Sequence, residues 1–457
     1  MNFKKTVAIA AAAGALAAIS VPAMAFENEF HGMYKFMAYE TNFFEGNTLS
    51  AAQANTLLRK DAHSGFFAEQ RARLQYIAKA SDDLKLVTHF ELDTRFGGLQ
   101  APGTGYKGTV TGNDSGNIDA DQLTLETKSI YLDYNCPLTG ANVKVGMQPW
   151  ADSYQSLFLL ADMTGAIATK KFGPATGTLG WFRFADRDKA ASLAGPGKQT
   201  ADLIVLDGKF AVSKAITVGA SYYNVQNDAP ATAAVAGTTT ALPIAASASP
   251  ASFELLHMVG LNADVTVGPA NIKPFAAIQF GDLNSAAGTK NKGILLGATS
   301  KTKVGPGAVN LSAIYMTGDT GKQEKSFRTL GANYTYFNAG NMWLLLRNGA
   351  AVNSSTSISG NDMTDGGAGM LGVFGGFEAT MGKVFYNANI GYAQDDKVAA
   401  GFTKKGLGTE VNAQVGYKLF DNLSASGAVA YAFLGDKFDA KKADDPYAVN
   451  LQLSYTF

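Results

Sequence analysis

The chain has 457 residues with 38 basic and 38 acidic side chains, so its formal charge is zero. This balance provides no basic surface for nucleic acid, and we therefore expect no nucleic-acid partner. Cys136 is the single cysteine, which excludes an intrachain disulfide, a CxxCH haem attachment and a cysteine metal cluster.

The N-terminus has the pattern of a secretory signal peptide. Residues 1–5 are short and basic, residues 6–19 form an apolar, alanine-rich run, and Ala23-Met24-Ala25 is a small-x-small site. This pattern predicts cleavage after Ala25 and a mature chain that begins at Phe26. An uncleaved anchor would need about 20 apolar residues and no cleavage site. Beyond the signal no apolar run approaches 18 residues, so export leads to the periplasm, the exterior or an outer membrane crossed by strands.

Strand-like segments with period-two alternation follow one another along the mature chain. Short turns alternate with long polar loops such as 43–65, 97–120 and 227–252. Outer-membrane barrels sort their connections in this way. We predict about 18–20 strands, and the higher count comprises 29–42, 66–80, 84–96, 121–135, 141–149, 163–173, 177–186, 201–213, 216–226, 253–268, 271–280, 293–304, 308–318, 326–337, 342–350, 368–380, 383–393, 408–420, 423–434 and 446–457.

The last segment shows which face meets which medium. Its odd-numbered residues from Tyr447 to Phe457 are apolar or aromatic, whereas the even-numbered ones are small or polar. So many strands enclose more volume than side chains can fill, so the apolar face must meet lipid and the polar face an aqueous lumen. We predict an all-β, transmembrane antiparallel β-barrel over residues 26–457, with short periplasmic turns and long extracellular loops.

The hairpin 66–96 carries a charge at many lumen-facing positions. With Ser81 to Asp83 as the turn, a register sum of 164 pairs unlike charges, whereas a sum of 162 would place Glu69 against Asp93. The three expected pairs are Glu69–Arg95, Arg71–Asp93 and Arg73–Glu91. Two interpretations stay open: a charged ladder that selects solutes, or a charge-compensated wet wall with little selectivity.

At this point the chain resembles Gram-negative porin-type outer-membrane proteins. One basis is the C-terminal "VNLQLSYTF", which resembles the signal read by the barrel assembly machinery through Phe457. The other is Val143-Lys144-Val145-Gly146-Met147-Gln148, followed by the loop 150–162, which the resemblance implies folds into the pore. The opening segments are similar to porin-like channels of metal-reducing deltaproteobacteria. The resemblance implies outer-membrane lipid around the barrel and makes a homo-trimer a possible assembly.

Further candidate pore residues lie on other strands. We expect a basic side from Lys144, Arg183, Lys273 and Arg347, and a facing side from Asp152, Ser153 and Tyr154 in the constriction loop. His89 lies near Glu91 and Asp93, but no serine is placed beside it, and we find no cofactor or metal motif. We therefore predict a non-enzymatic porin for passive diffusion of small hydrophilic solutes and ions. The alternatives are a substrate-selective channel and a non-conducting scaffold for an electron-transfer partner.

Overall fold

The computed structural model describes residues 27–43, 58–97, 125–186, 200–227, 255–284, 288–320, 324–330, 335–346, 357–360, 363–364 and 367–457. The expected signal peptide, and most of the loops expected at 43–65, 97–120 and 227–252, lie outside these residues. Among the described residues, no helix is long and apolar enough to span a membrane.

Nineteen β-strands and two 3-10 helices, Asn338–Gly340 and Asp436–Lys441, lie in the described ranges. The strands are Glu27–Thr41 (β1), Gly65–Ser81 (β2), Leu84–Arg95 (β3), Glu126–Asn135 (β4), Asn142–Ala151 (β5), Leu160–Phe172 (β6), Ala175–Asp186 (β7), Thr200–Ala211 (β8), Ile216–Asn227 (β9), Leu255–Val267 (β10), Ala270–Asn284 (β11), Thr289–Asn291 (β12), Ile294–Val304 (β13), Gly307–Met316 (β14), Met370–Met381 (β15), Val384–Gln394 (β16), Gly406–Phe420 (β17), Leu423–Leu434 (β18) and Tyr447–Thr456 (β19).

Eighteen of these strands close into one antiparallel barrel. β1 pairs with β2 on one side and with β19 on the other, so no edge is left open. β12 is a three-residue strand on the end of β11, which itself continues to β13. Closure satisfies the backbone groups that lipid cannot. The predicted fold class is confirmed, at the lower end of the expected strand number.

Short turns and long connections alternate around the barrel, as the sequence predicted. Two-residue turns such as Gly268-Pro269 and Gly382-Lys383 occupy one end, where the two glycines adopt positive φ angles of 56° and 59°. The connection between β14 and β15, residues 317–369, is at the other end. The first described residue, Glu27, and the last, Phe457, both lie at the short-turn end, because Glu27 is opposite Lys79 and Phe457 bonds Gly32.

The outward face of the barrel is apolar. Large side chains on alternate strand positions are exposed there, and this band is the surface that lipid would cover. Examples are Leu74, Leu132, Val145, Leu206, Leu261, Ile278, Leu311, Ile390, Val415 and Leu451.

Two of the predicted strands are wrong. The described residues of 326–337 and 342–350 are not strands; they belong to the connection between β14 and β15 and fold into the barrel. Phe327, Phe337 and Leu345 are at most 1 % exposed and join a cluster inside the barrel wall. Their alternation resembles a strand because one side packs on the inner wall.

Candidate functional site

The first element inside the barrel is the constriction loop, residues 152–159, which joins β5 to β6. The Asp152 carboxylate accepts hydrogen bonds from the backbone N–H groups of Tyr154 (2.6 Å), Ser156 (3.0 Å), Phe158 (2.7 Å) and Leu159 (2.7 Å). Burial raises the pKa of Asp152 to about 6, although the four N–H donors act in the opposite direction. We expected this carboxylate to face the pore, but all four of these hydrogen bonds are with the backbone of its own loop.

Tyr154 fixes the tip of the constriction loop against the inner wall of β9–β11. Its ring is fully buried, its hydroxyl is bonded to Ser221 on β9, and it lies edge-on to Phe275 on β11, with centroids 6.4 Å apart. Gly260 on β10 makes room for this ring, because a Cβ there would lie 2.3 Å from the tyrosine oxygen. Ser153 donates to Asp207 on β8 at 2.6 Å. The loop therefore folds into the lumen and is held on the wall of β8–β11.

The second internal element is the lumen segment, defined as residues 326–330 and 335–346. Glu410 on β17 accepts hydrogen bonds from the backbone N–H groups of Trp343 (2.7 Å), Leu344 (2.9 Å) and Leu345 (2.7 Å). Asn412 on the same strand donates to the Asn341 carbonyl at 2.9 Å. Inner-wall side chains thus bind the segment through its backbone.

Other inner-wall contacts hold the remaining parts of the lumen segment. Gln279 on β11 bonds both the N–H and the carbonyl of Arg328, each at 2.7 Å. Ser312 on β14 donates to the Ala339 carbonyl at 3.2 Å. On the far side, Trp343 packs against the β1–β2 cluster that contains Met37. The segment therefore spans the lumen from β11 to β1.

The constriction loop and the lumen segment also bind each other. The N–H of Leu330 donates to the Phe158 carbonyl at 3.1 Å, and the N–H of Tyr336 donates to the Ser156 carbonyl at 3.2 Å. Between them lies a shared apolar cluster that includes Phe158, Phe327 and Leu345. The two elements act as one constriction inside the barrel.

The wall formed by β2 and β3 carries the charges expected from the sequence. The register sets Glu69 opposite Arg95, Arg71 opposite Asp93, and Arg73 opposite Glu91, so the predicted pairing is confirmed. These residues alternate with the exposed Leu74 and Leu86, which places them on the inner face.

Contacts within this charged wall are close. Arg71 binds Asp93 through two nitrogens, with Nε 2.6 Å from Oδ1, and lies 3.3 Å from Glu91. Arg73 also bonds Glu91, and Lys128 adds a 3.6 Å contact to the same carboxylate. The bidentate arginine contact fixes orientation as well as charge. Each strong charge on this wall therefore has an opposite neighbour.

The other predicted pore residues, apart from Arg183, lie either on the inner face or outside the described residues. His89, Lys144 and Lys273 lie on the inner face, where Lys144 is 4.0 Å from Asp133 and Lys273 is 3.2 Å from Asp264. Arg347 lies outside the described residues.

Arg183 was predicted to face the lumen, and the structure contradicts this. It lies on the outward face beside Trp181, which is 42 % exposed, and bonds Asp202 at 2.9 Å. The inward row of the same strand contains Phe182, fully buried against Trp150 of the barrel interior. At this level the inward positions of β7 are filled by an apolar core, so the charged side chain of the strand points outward.

A second, uncharged wall was not recognised as a site from the sequence. β16, β17 and β18 present Asn387, Asn389, Gln414 and Ser426 on the inner face. They form a hydrogen-bonded chain: Asn389 to Asn387 at 2.8 Å, Asn387 to Gln414 at 3.0 Å, and Gln414 to Ser426 at 3.1 Å. The signal for it was the repeated amide at every second position of these strands.

A closed barrel with an apolar outer face, a polar inner face and internal loops has the architecture of an outer-membrane porin. Solved structures with this fold include Pseudomonas aeruginosa OccK5 (OpdH), with a TM-score of 0.54, 14 % identity, and coverage of 94 % of this chain and 98 % of that one. Pseudomonas aeruginosa OpdL has a TM-score of 0.55 and 12 % identity, with coverage of 94 % of this chain and 99 % of that one. OccK2 (OpdF) of the same organism, solved in complex with glucuronate, has a TM-score of 0.54 and 11 % identity, with coverage of 94 % of this chain and 98 % of that one.

These matches establish the fold. No protein-family model matches the chain, and no curated protein matches it in sequence.

Proposed function

We propose that this chain forms a narrow, water-filled channel for passive diffusion of small hydrophilic solutes and ions across an outer membrane. The observation that carries the proposal is the combination of a closed barrel, a lipid-compatible outer face and an internal constriction bound to a polar inner wall. The constriction would exclude large solutes by width, and the wall would replace part of the hydration of those that pass.

The charge distribution supports weak rather than strong ion selectivity. Arg71, Arg73 and Lys273 all have carboxylate neighbours within 3.3 Å. Compensated pairs produce a small net field, so the lumen should admit ions of either sign. The glucuronate bound in the solved OccK2 structure is a small hydrophilic solute of the size class that we propose here.

We also infer the route to the membrane. The signal peptide would be removed after Ala25, the barrel would be one domain over residues 26–457, and Phe457 would be recognised by the barrel assembly machinery. Phe457 suits this role because its ring is 52 % exposed on the outward face, stacked on Tyr455 at 5.6 Å.

Planar-bilayer recording on the purified mature protein tests the channel. We expect stepwise conductance in KCl, a reversal potential near zero in a salt gradient, and a sharp size limit when polyethylene glycols of increasing mass are added. A protein that inserts, as shown by heat-modifiable migration on gels, but never conducts would refute the proposal.

A further inference from the structure

We propose that the uncharged wall of β16–β18 binds a neutral, hydroxyl-rich solute of the sugar or polyol class. The proposal rests on the channel function above and names the solute that this channel favours. Its position is the half of the lumen between the constriction and the short turns, because Phe385 and Asn387 follow directly after the turn at Gly382-Lys383.

The first argument is the chemistry of the amide chain. Every primary amide has two N–H donors and an acceptor oxygen, and the bonds of this wall use one donor of Asn387, one of Gln414 and both of Asn389, the second of which goes to Asn412. Asn387 and Gln414 are half-buried on the inner face, and each keeps one N–H donor that these bonds leave for a solute in the lumen. A sugar hydroxyl both donates and accepts, which is the complement that such a wall requires.

The second argument is an aromatic ring on the same wall. Phe385 is half-buried on the inward row of β16, and its ring covers Gly416 of β17 so closely that a Cβ at Gly416 would meet it at 2.0 Å. The ring atoms that lie over Gly416 are the three at its far edge, so the ring reaches from β16 across to β17 beside the amides. The C–H faces of pyranose rings pack on aromatic faces, and amides beside the ring would bond their hydroxyl edges.

The third argument is the charge around this wall. Glu378 stands opposite Asn387 in the β15–β16 register, and it is bonded to Lys301. A recess of about 440 Å³, lined by Glu378, Lys301 and Asn389, adjoins the wall at Asn389 and falls within the usual size range of small-molecule sites. The carboxylate and the ammonium compensate each other, and the Glu410 carboxylate of β17 is fully buried under the lumen segment, so neither an anion nor a cation gains a clear advantage.

The test is block of single-channel current by sucrose in the full-length mature channel. We expect resolved, concentration-dependent blocks of the current. In the double variant Asn387→Ala/Gln414→Ala the dissociation constant for sucrose should be at least about tenfold larger, which corresponds to 1.4 kcal/mol. Phe385→Leu should weaken block independently and replaces the double variant if that variant does not insert. Gln75→Ala is the matched control, because Gln75 is an inner-face glutamine on the charged wall, and it should leave block unchanged.

Each other outcome has a defined meaning. A channel that conducts but shows no sucrose block overturns the sugar proposal and leaves the channel function intact. Block by sodium gluconate alone would assign recognition to lysines such as Lys301 and also overturns it. Equal weakening in Gln75→Ala would show that the effect is not local to β16–β18. Absence of any conductance would refute the channel and this proposal together.

Discussion

Replacing Glu410 with alanine should release the lumen segment and widen the channel. Its carboxylate bonds three consecutive backbone N–H groups, at Trp343, Leu344 and Leu345, and also the Asn412 amide at 2.8 Å. With the carboxylate removed, these buried donors lose their acceptor while water is excluded from them. The segment can avoid that cost by leaving the inner wall.

The size of the effect follows from the number of bonds. Hydrogen bonds to a charged group contribute about 1.5–3 kcal/mol each, so three backbone bonds give roughly 4–9 kcal/mol. Loss of 4 kcal/mol lowers the ratio of docked to released segment about a thousandfold. Glu410→Gln should have an intermediate effect on the channel. Its amide keeps one acceptor oxygen, whereas in the wild type Trp343 bonds one carboxylate oxygen and Leu344 and Leu345 bond the other. The barrel ladder of β16–β18 does not depend on the segment, so the unfolding temperature of the barrel should change little.

Planar-bilayer conductance and the largest permeant polyethylene glycol measure the result. Both should increase in Glu410→Ala, and noise in the open channel should rise as the segment moves. Glu378→Ala is the matched control, since Glu378 is an inner-face glutamate bonded to Lys301 rather than to the lumen segment. If Glu410→Ala keeps the wild-type conductance and size limit, the reasoning that this carboxylate holds the constriction is wrong.

Two further predictions concern the charged wall and the constriction loop. Arg71→Glu places a negative charge beside Asp93, so the reversal potential in a KCl gradient should shift towards cation selectivity; an unchanged value would leave the pair as wall lining. Gly260→Ala would bring a Cβ within 2.3 Å of the Tyr154 oxygen and should destabilise the loop by about 1–3 kcal/mol, seen as faster proteolysis and higher conductance. Gly208→Ala is its control, because the nearest atom there is 3.7 Å away, and equal effects in both would contradict the packing argument.

The sequence by itself determined the barrel and the register of its most charged hairpin. Period-two alternation and alternating connection lengths reflect the pleat and the two sides of a membrane, and both are local properties. The pairing of Arg71 with Asp93 followed because the alternative register would bring like charges together.

The tertiary structure decided what lies inside the barrel. The lumen segment alternates like a strand, yet it folds against inner-wall side chains such as Gln279 and Glu410, which are distant in sequence. Arg183 was assigned to the lumen because charge usually marks the wet face. On β7 the rule fails, because the interior is apolar around Phe182 and the charged side chain therefore lies on the outward face. Which polar side chains face water and which bind a loop depends on contacts between residues hundreds of positions apart, and alternation along one strand carries no record of them.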